Sequence, residues 1–532
     1  MSALNRKLLR DLWRLRGQVL AIAMVVASGV AVLVMSLATL NSLQETAATY
    51  YERYRFADVF ASVTRAPEHL AARIGDIPGV QHVETRISKL ATLDIAGFGE
   101  PVIGQLVSIP ERGESVLNRL ALLAGRRVQP DHPDEVVLSE PFAEAHRLET
   151  GSRLHAIING KRRQLTVVGI ALSPEHVYAI GPGALMPDNR RFGVLWMGRE
   201  ALEAAYDLDG AFNDVTLSLL HGTRPEAVIE PMDQVLGRYG GIGAIARADQ
   251  LSNWFLVNEI DQLETLARIL PTIFLVVAAF LTNMVLARII AIERSEIGLM
   301  KAFGYRNTEI AWHYARLVMA ITAVGIVLGW LVGAWFGKIS TGLYAEFYRF
   351  PLLIYAPQPS TFAIGALVSL GAALAGTFGS LRRAAMLPPA EAMRPPAPTL
   401  YRRTRLSTSR IAAWLDQPTR IILRQIVRWP GRSLLTSVGI ALSVGVLVMA
   451  LQWIDSINHI VQVYFFDTQR QDMMVGLVEA QSDTAAHELA RMPGVLSVEP
   501  MRIVSAYLRH GNRSHRGALT GVPPDAQLQR VY

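Results

Sequence analysis

The stretch ERSEIGLMKAFGYRNTEI, residues 293–310, decides how this chain is read. It is short, charged and helix-prone, and a long charge-free stretch lies on each side. Glu293, Arg294, Glu296 and Lys301 would each cost about 2.5–3.5 kcal/mol at the centre of a bilayer, so the segment lies in water. It is too short to be a domain. A short amphipathic helix held between two spans is well placed to carry force between a soluble partner and the membrane.

Outward from it, five stretches contain no Asp, Glu, Lys or Arg: residues 17–44, 269–287, 317–337, 350–381 and 433–454. About 20 helical residues cross a ~30 Å hydrocarbon core, and each stretch is long enough. Overall the 532 residues are 51% hydrophobic and only 18% charged, with the apolar residues clustered. The fold class is therefore a multi-span α-helical membrane protein with five spans. The first stretch follows Arg6, Lys7, Arg10, Arg14 and Arg16, as a signal peptide would, but its apolar part far exceeds a 7–15-residue signal core. Pro271, near the outer end of span two, is expected to mark a helix start; a functional kink is the sharper reading. The chain has no cysteine, so disulfides and thiolate metal sites are excluded.

Charge placement orients the spans. The net charge is +7, and between Arg382 and Arg432 there are 11 arginines against Glu391 and Asp416 alone. Such a run could meet nucleic acid, but short basic loops beside spans stay inside and face anionic lipid, so membrane lipid is the expected partner and nucleic acid is not. The basic N-terminus, the 293–310 segment and this linker are thus cytoplasmic. Residues 45–265 form a large extracytoplasmic α/β domain between spans one and two. Within it, 68–77 suits a helix stopped by Pro78-Gly79, and 80–87 suits a strand. Residues 135–148 suit a strand and then a helix, and 153–171 suit a hairpin turning at Asn159-Gly160.

The chain repeats itself. LRDLWRLRGQVL (9–20) aligns with LRQIVRWPGRSL (423–434), and VAVLVMSL (30–37) with VGVLVMAL (444–451) at the same offset. IPGVQHVE (77–84) matches MPGVLSVE (492–499) after a one-residue slip. The expected organisation is 1–44 for the cytoplasmic N-terminus and span one, and 45–265 for the outer domain. A permease core with spans two to four and the charged segment then fills 266–395, followed by a basic linker at 396–432. Residues 433–455 form span five and 456–532 a partial second outer domain. A complete second copy implies a natural chain of about 800 residues.

Two surfaces stand out. Within 293–304 no charged residue finds an opposite charge at i+3 or i+4. Glu293, Arg294, Glu296 and Lys301 are thus expected to be free for a partner, with Ile297, Met300 and Gly304 as a second face; an ordinary solvated loop is the bland alternative. In span three Gly325, Gly329, Gly333 and Gly337 recur every fourth residue, a face that allows close helix packing, static or sliding. In span five Gly439, Ala441, Ser443 and Gly445 give a weaker version. No site for catalysis, cofactor or metal emerges. The nearest phosphate-loop match, Gly333 to Ser340, has the wrong spacing and lies in a span. His510 and His515 bracket a turn, and Asp131, His132, Asp134 and Glu135 read as a solvated acidic turn rather than a metal site.

The order Glu293-Arg294, Glu296-Ile297-Gly298, Lys301-Ala302, Gly304 resembles the cytoplasmic coupling segment of the FtsX-like (MacB-like) ABC transporter permeases. MLPPAEAMRPP (386–396) resembles the end of the FtsX-like core, and the strand–helix order of 45–265 resembles the MacB-like periplasmic domain. The resemblance implies a multi-pass protein of the bacterial cytoplasmic (inner) membrane. It is a non-catalytic permease of an ATP-driven export or extraction system, with no cofactor of its own. A separate cytoplasmic ABC ATPase subunit would bind residues 293–304, with Gly298 among them, and a periplasmic adaptor often accompanies such permeases. A different class of reading stays open: a mechanotransmitter that activates an outer partner, such as a cell-wall hydrolase, without moving cargo.

Overall fold

The computed structural model of the chain describes residues 3–184, 186–393, 416–428, 430–477, 481–511 and 513–530. The linker expected at 396–432 falls largely outside these residues. The chain divides into two units, Met1–Gln425 and Ile426–Tyr532.

In the first unit, α1 (Ala3–Arg14) meets α2 (Arg16–Arg53) at Leu15. The other long helices are α7 (Leu251–Ile292), α9 (Asn307–Phe347) and α10 (Pro359–Met386). Two short ones, α8 (Arg294–Ala302) and α11 (Pro389–Ala392), complete this group. All four long helices, and a fifth in the second unit, are long and apolar enough to cross a membrane. They are longer than the charge-free stretches. The 38 residues of α2 extend about 57 Å, nearly twice the hydrocarbon thickness. Absence of charge marks the part of a helix that tolerates lipid; it does not mark where the helix ends in water. Residues 338–347, beyond the third charge-free stretch, are the last turns of α9. Pro271 does not start its helix: α7 begins at Leu251, where the Gln250 side chain accepts from the Asn253 N–H, and Pro271 lies buried within it.

Between α2 and α7 lie two sheets. One has the strand order β11-β1-β10-β2, built from β1 (Val59–Pro67), β2 (Val80–Arg86), β10 (Ala211–Leu219) and β11 (Ile245–Ala246). Its apolar face is covered by α3 (Leu70–Gly75) and α6 (Pro225–Leu236), through Leu70, Ile74, Val228 and Met232. The other runs β5-β8-β6-β9-β4-β3-β7 and closes because β7 also pairs with β8. Its strands are β3 (Ser88–Asp94), β4 (Val102–Ile109), β5 (Ala121–Gly125), β6 (Glu135–Ser139), β7 (Arg153–Ile158), β8 (Lys161–Leu172) and β9 (Phe192–Gly198). The β7–β8 hairpin turns at Asn159 (φ 48°) and Gly160 (φ 75°), two consecutive left-handed residues that Asn-Gly accepts at little cost. Arg86 ties the sheets together. Its guanidinium donates to Asp214 (2.6 and 2.8 Å) on β10 and to Glu175 (2.6 and 3.0 Å) beyond the end of β8. Glu135, expected in an acidic turn, starts β6 and accepts from Arg126.

The double-sheet domain sits on the C-terminal ends of α2 and α9 and the N-terminal end of α7. Tyr178 stacks on Tyr348 at 5.0 Å between ring centroids, and Tyr344 donates to Glu259 at 2.6 Å. Arg349 pairs with Glu140 and Glu144 of α4 (Glu140–His146). Aromatic rings with polar tips suit this position, where one end is apolar and the other wet.

The second unit contains a helix at Pro430–Gln462, a short helix at Thr484–Ala490 and an antiparallel pair, Arg502–His510 with Arg513–Gly521. Its order parallels α3, the Pro-Gly turn and the β3–β4 pair of the first unit. Gly79 and Gly494, aligned by the repeat, are both left-handed (φ 99° and 90°). The turn is tighter than expected: His510 faces Arg513, so His515 lies in the strand.

Candidate functional site

The segment between α7 and α9 is a helix, α8, clamped on several sides. Glu293 both ends α7 and caps α8. It is 2% exposed. Its carboxylate accepts from Lys7 (2.9 Å), Arg14 (2.7 Å) and the Tyr314 hydroxyl of α9 (2.9 Å). The Lys7 ammonium is the hub of this cluster, since it also pairs with Asp11 (2.8 Å) and Glu296 (2.9 Å). Burial works against the charge on Lys7, but the three carboxylates outweigh it and hold its pKa above the ordinary lysine value. The Lys7 hydrogen bond holds Glu296 below the usual carboxylate range.

This overturns the expectation that the charges of α8 are free. Glu293 and Glu296 find no cation along their own helix because their cations stand on α1, 286 residues away for Lys7 and Glu293. Lys301 is engaged too. Its ammonium donates to the carbonyls of Ala385 (2.7 Å) and Leu387 (2.6 Å) at the C-terminal end of α10, where unsatisfied carbonyls favour a cation. Burial there lowers its pKa. Arg294 is half-buried in the first turn.

The apolar residues are redistributed as well. Ile297 is fully buried and Met300 packs against the same core. Gly298 allows a close approach: a Cβ there would stand 2.9 Å from the Ala392 Cβ and 3.1 Å from the Met393 Cγ, so α11 could not lie where it does. Gly304 serves differently. Nothing lies within 4 Å of a Cβ there, but its φ of 90° makes the turn that ends α8. What α8 presents outward is Leu299, 51% exposed, and Phe303, 77% exposed, one turn apart. The sequence reading missed this pair. The signal was its i,i+4 spacing opposite Ile297, which could be ranked only once the inward face was known.

The glycine face of α9 lies against α2. A Cβ at Gly325, Gly329 or Gly333 would come within 2.6–2.9 Å of Val26, Val30 or Val34 and of α2 carbonyl oxygens. Gly337 instead faces the Tyr355 hydroxyl at 2.9 Å. Among the described residues, no three His, Cys, Asp or Glu side chains gather as metal ligands.

Residues 268–389 match the family model of the FtsX-like permease C-terminal domain. Two solved structures are similar over part of the chain. One is the extracellular domain of the noncanonic ABC-type transporter YknZ from Gram-positive bacteria, at 12% identity and a TM-score of 0.25, covering 36% of this chain and 98% of that one. The other is the periplasmic region of MacB from Actinobacillus actinomycetemcomitans, at 13% identity and a TM-score of 0.25, covering 38% of this chain and 92% of that one. No curated protein matches the sequence. Residues 268–389, from within α7 through α10 to the start of α11, thus carry the pattern of an FtsX-like permease C-terminal domain.

Proposed function

We propose that this chain is the membrane subunit of an ATP-driven export or extraction system, and that a separate cytoplasmic ABC ATPase docks on α8. The observation that carries this reading is the construction of α8. Glu293, Glu296 and Lys301 are held by α1, α9 and the end of α10, so α8 cannot swing independently of the spans. Its outward side is apolar, with Leu299 and Phe303 exposed in water. A partner that covers this side pushes directly on three helices. At the far end, the same helices carry the double-sheet domain through the Tyr178–Tyr348 stack and the Arg349 ion pairs. A shift at α8 is thereby passed to the outer domain, which handles cargo or an adaptor. In this reading the N-terminus, α8 and the basic linker are cytoplasmic, the double-sheet domain is extracytoplasmic, and the chain performs no chemistry itself.

Single cysteines in this cysteine-free chain test the reading. A cysteine in place of Asn159 should react with an impermeant maleimide from the outer side. A cysteine in place of Phe303 should react only from the cytoplasmic side and should crosslink to a co-expressed ATPase subunit. Outer-side labelling at 303, or protection of 303 that does not depend on the ATPase, would sink the proposal.

A further inference from the structure

α1 has two faces, and the cluster around Glu293 uses only one of them. Leu8, Leu12 and Leu15 pack against the permease core, and Lys7 and Asp11 enter the charge cluster beside them. The opposite stripe is Arg6, Leu9, Arg10 and Trp13, and it continues through Arg16 and Leu20 at the start of α2. These positions share one helix side by their three- and four-residue steps. Leu9 is 55% and Trp13 75% exposed, and the Arg16 guanidinium lies 5.8 Å from the centroid of the Trp13 ring. The stripe is thus cationic along its length with a large apolar residue at each turn.

Two observations say what covers it. The first is continuity: α1 runs through Leu15 directly into α2, so the stripe stands at the level where a span enters the membrane. Arginines interleaved with Leu and Trp gain most at a headgroup boundary, where the rings enter the acyl edge and the cations meet phosphate. The second is the internal repeat. Arg6, Leu9 and Arg10 recur as Arg420, Leu423 and Arg424, whereas Trp13 and Arg16 become Val427 and Pro430 and the inward charges Lys7 and Asp11 become Ile421 and Gln425. The first two arginines of the stripe and the leucine between them are present in both copies, and the inner pair in one. What both helices share is their place just ahead of a long apolar helix, Arg16–Arg53 in one copy and Pro430–Gln462 in the other. We infer that this face of α1 lies on the anionic lipid surface of the leaflet that α2 enters, with Arg6, Arg10 and Arg16 at headgroup phosphates and Leu9 and Trp13 at the acyl boundary.

The test uses the full chain in nanodiscs of phosphatidylcholine alone or with about one quarter phosphatidylglycerol. A cysteine replacing Trp13 carries an environment-sensitive fluorophore, and a lipid spin-labelled near its headgroup is the quencher. A cysteine replacing Lys161, exposed in the outer domain, is the reference. Quenching at position 13 should exceed the reference several-fold in the anionic discs. It should fall several-fold in neutral discs and in the Arg6→Glu, Arg10→Glu variant. Arg6→Lys with Arg10→Lys should keep it, which separates loss of charge from loss of the helix. Quenching no stronger than at position 161 would overturn the inference, and would leave an acidic protein surface as the occupant. Quenching equal in neutral and anionic discs, or unaffected by charge reversal, would overturn its anionic part.

Discussion

Lys7→Ile is the most revealing single perturbation of the α1–α8 clamp. The Lys7 ammonium touches three carboxylates, and they are not equally placed to lose it. Glu293 keeps Arg14 and Tyr314. Glu296, with its side chain 46% exposed, falls back on water, so its loss is under about 1 kcal/mol. Asp11 is 2% exposed and loses the cation beside it. Breaking a buried pair by removing one partner costs about 3–5 kcal/mol, so Asp11 sets the size of the effect. At about 1.4 kcal/mol per tenfold, opening of α1 from the core should become roughly 10² to 4 × 10³ times more frequent. A cysteine replacing Leu12, on the packed face, reports that opening through its maleimide rate in nanodiscs. Adding Asp11→Gln removes the orphaned charge and reproduces the Ile421 and Gln425 of the second copy. The double variant should return to within about tenfold of the parent, because its remaining loss is the half-exposed Glu296 contact. A single variant that labels at the parental rate, or a double variant no slower than the single, would refute the assignment of Lys7 as the hub.

Other outcomes follow from the same geometry. Gly329→Ala should destabilise the α2–α9 pair by about 1–3 kcal/mol, since its Cβ would stand 2.6 Å from Val30 and 2.9 Å from the Ala27 carbonyl. Gly371→Ala, with open space around it, is the control, and thermal unfolding in nanodiscs reads both. Arg86→Met should cost the double-sheet domain about 3–5 kcal/mol, because Asp214 and Glu175 are left facing each other without a cation. Adding Glu175→Gln should recover part of that loss in the same thermal assay. Burial holds the His176 pKa below the ordinary histidine value. The unfolded chain therefore takes up a proton near pH 6.5 that the folded domain refuses. Stability should be full above that pH and fall as pH drops through it, and His176→Gln should flatten the fall of the melting midpoint between about pH 7.5 and 5.5.

How much of this was legible in the sequence differs by element. The long apolar helices were, because a charge-free run of span length has few other uses. Their ends were not. The polar residues around Glu52 and Arg53, or Glu259 and Asp261, form helix as readily as loop, and only packing against the double-sheet domain shows which. The β7–β8 hairpin was legible because Asn159-Gly160 suits a turn with two left-handed residues in succession. The place of α8 was legible from the charges between two apolar runs, but its orientation was not. Pairing rules look three or four residues along one helix, whereas Glu293 is neutralised by residues at the other end of the first unit's sequence. Lys301 escaped for a related reason, since its partners are backbone carbonyls that no residue pattern records.

The most direct test of the central claim is the affinity of the purified ATPase subunit for the full chain when the outward face of α8 is truncated by Leu299→Ala with Phe303→Ala. Burying each side chain is worth about 1.5–3 kcal/mol, so the double truncation should weaken binding by about 150-fold or more and reduce permease-stimulated hydrolysis in step. Glu296→Gln should change affinity less than about fivefold, because Glu296 is already engaged by Lys7. Parental affinity in the double truncation, with α1 still protecting the Leu12 position, would contradict the claim that α8 couples the spans to an ATPase through its apolar face.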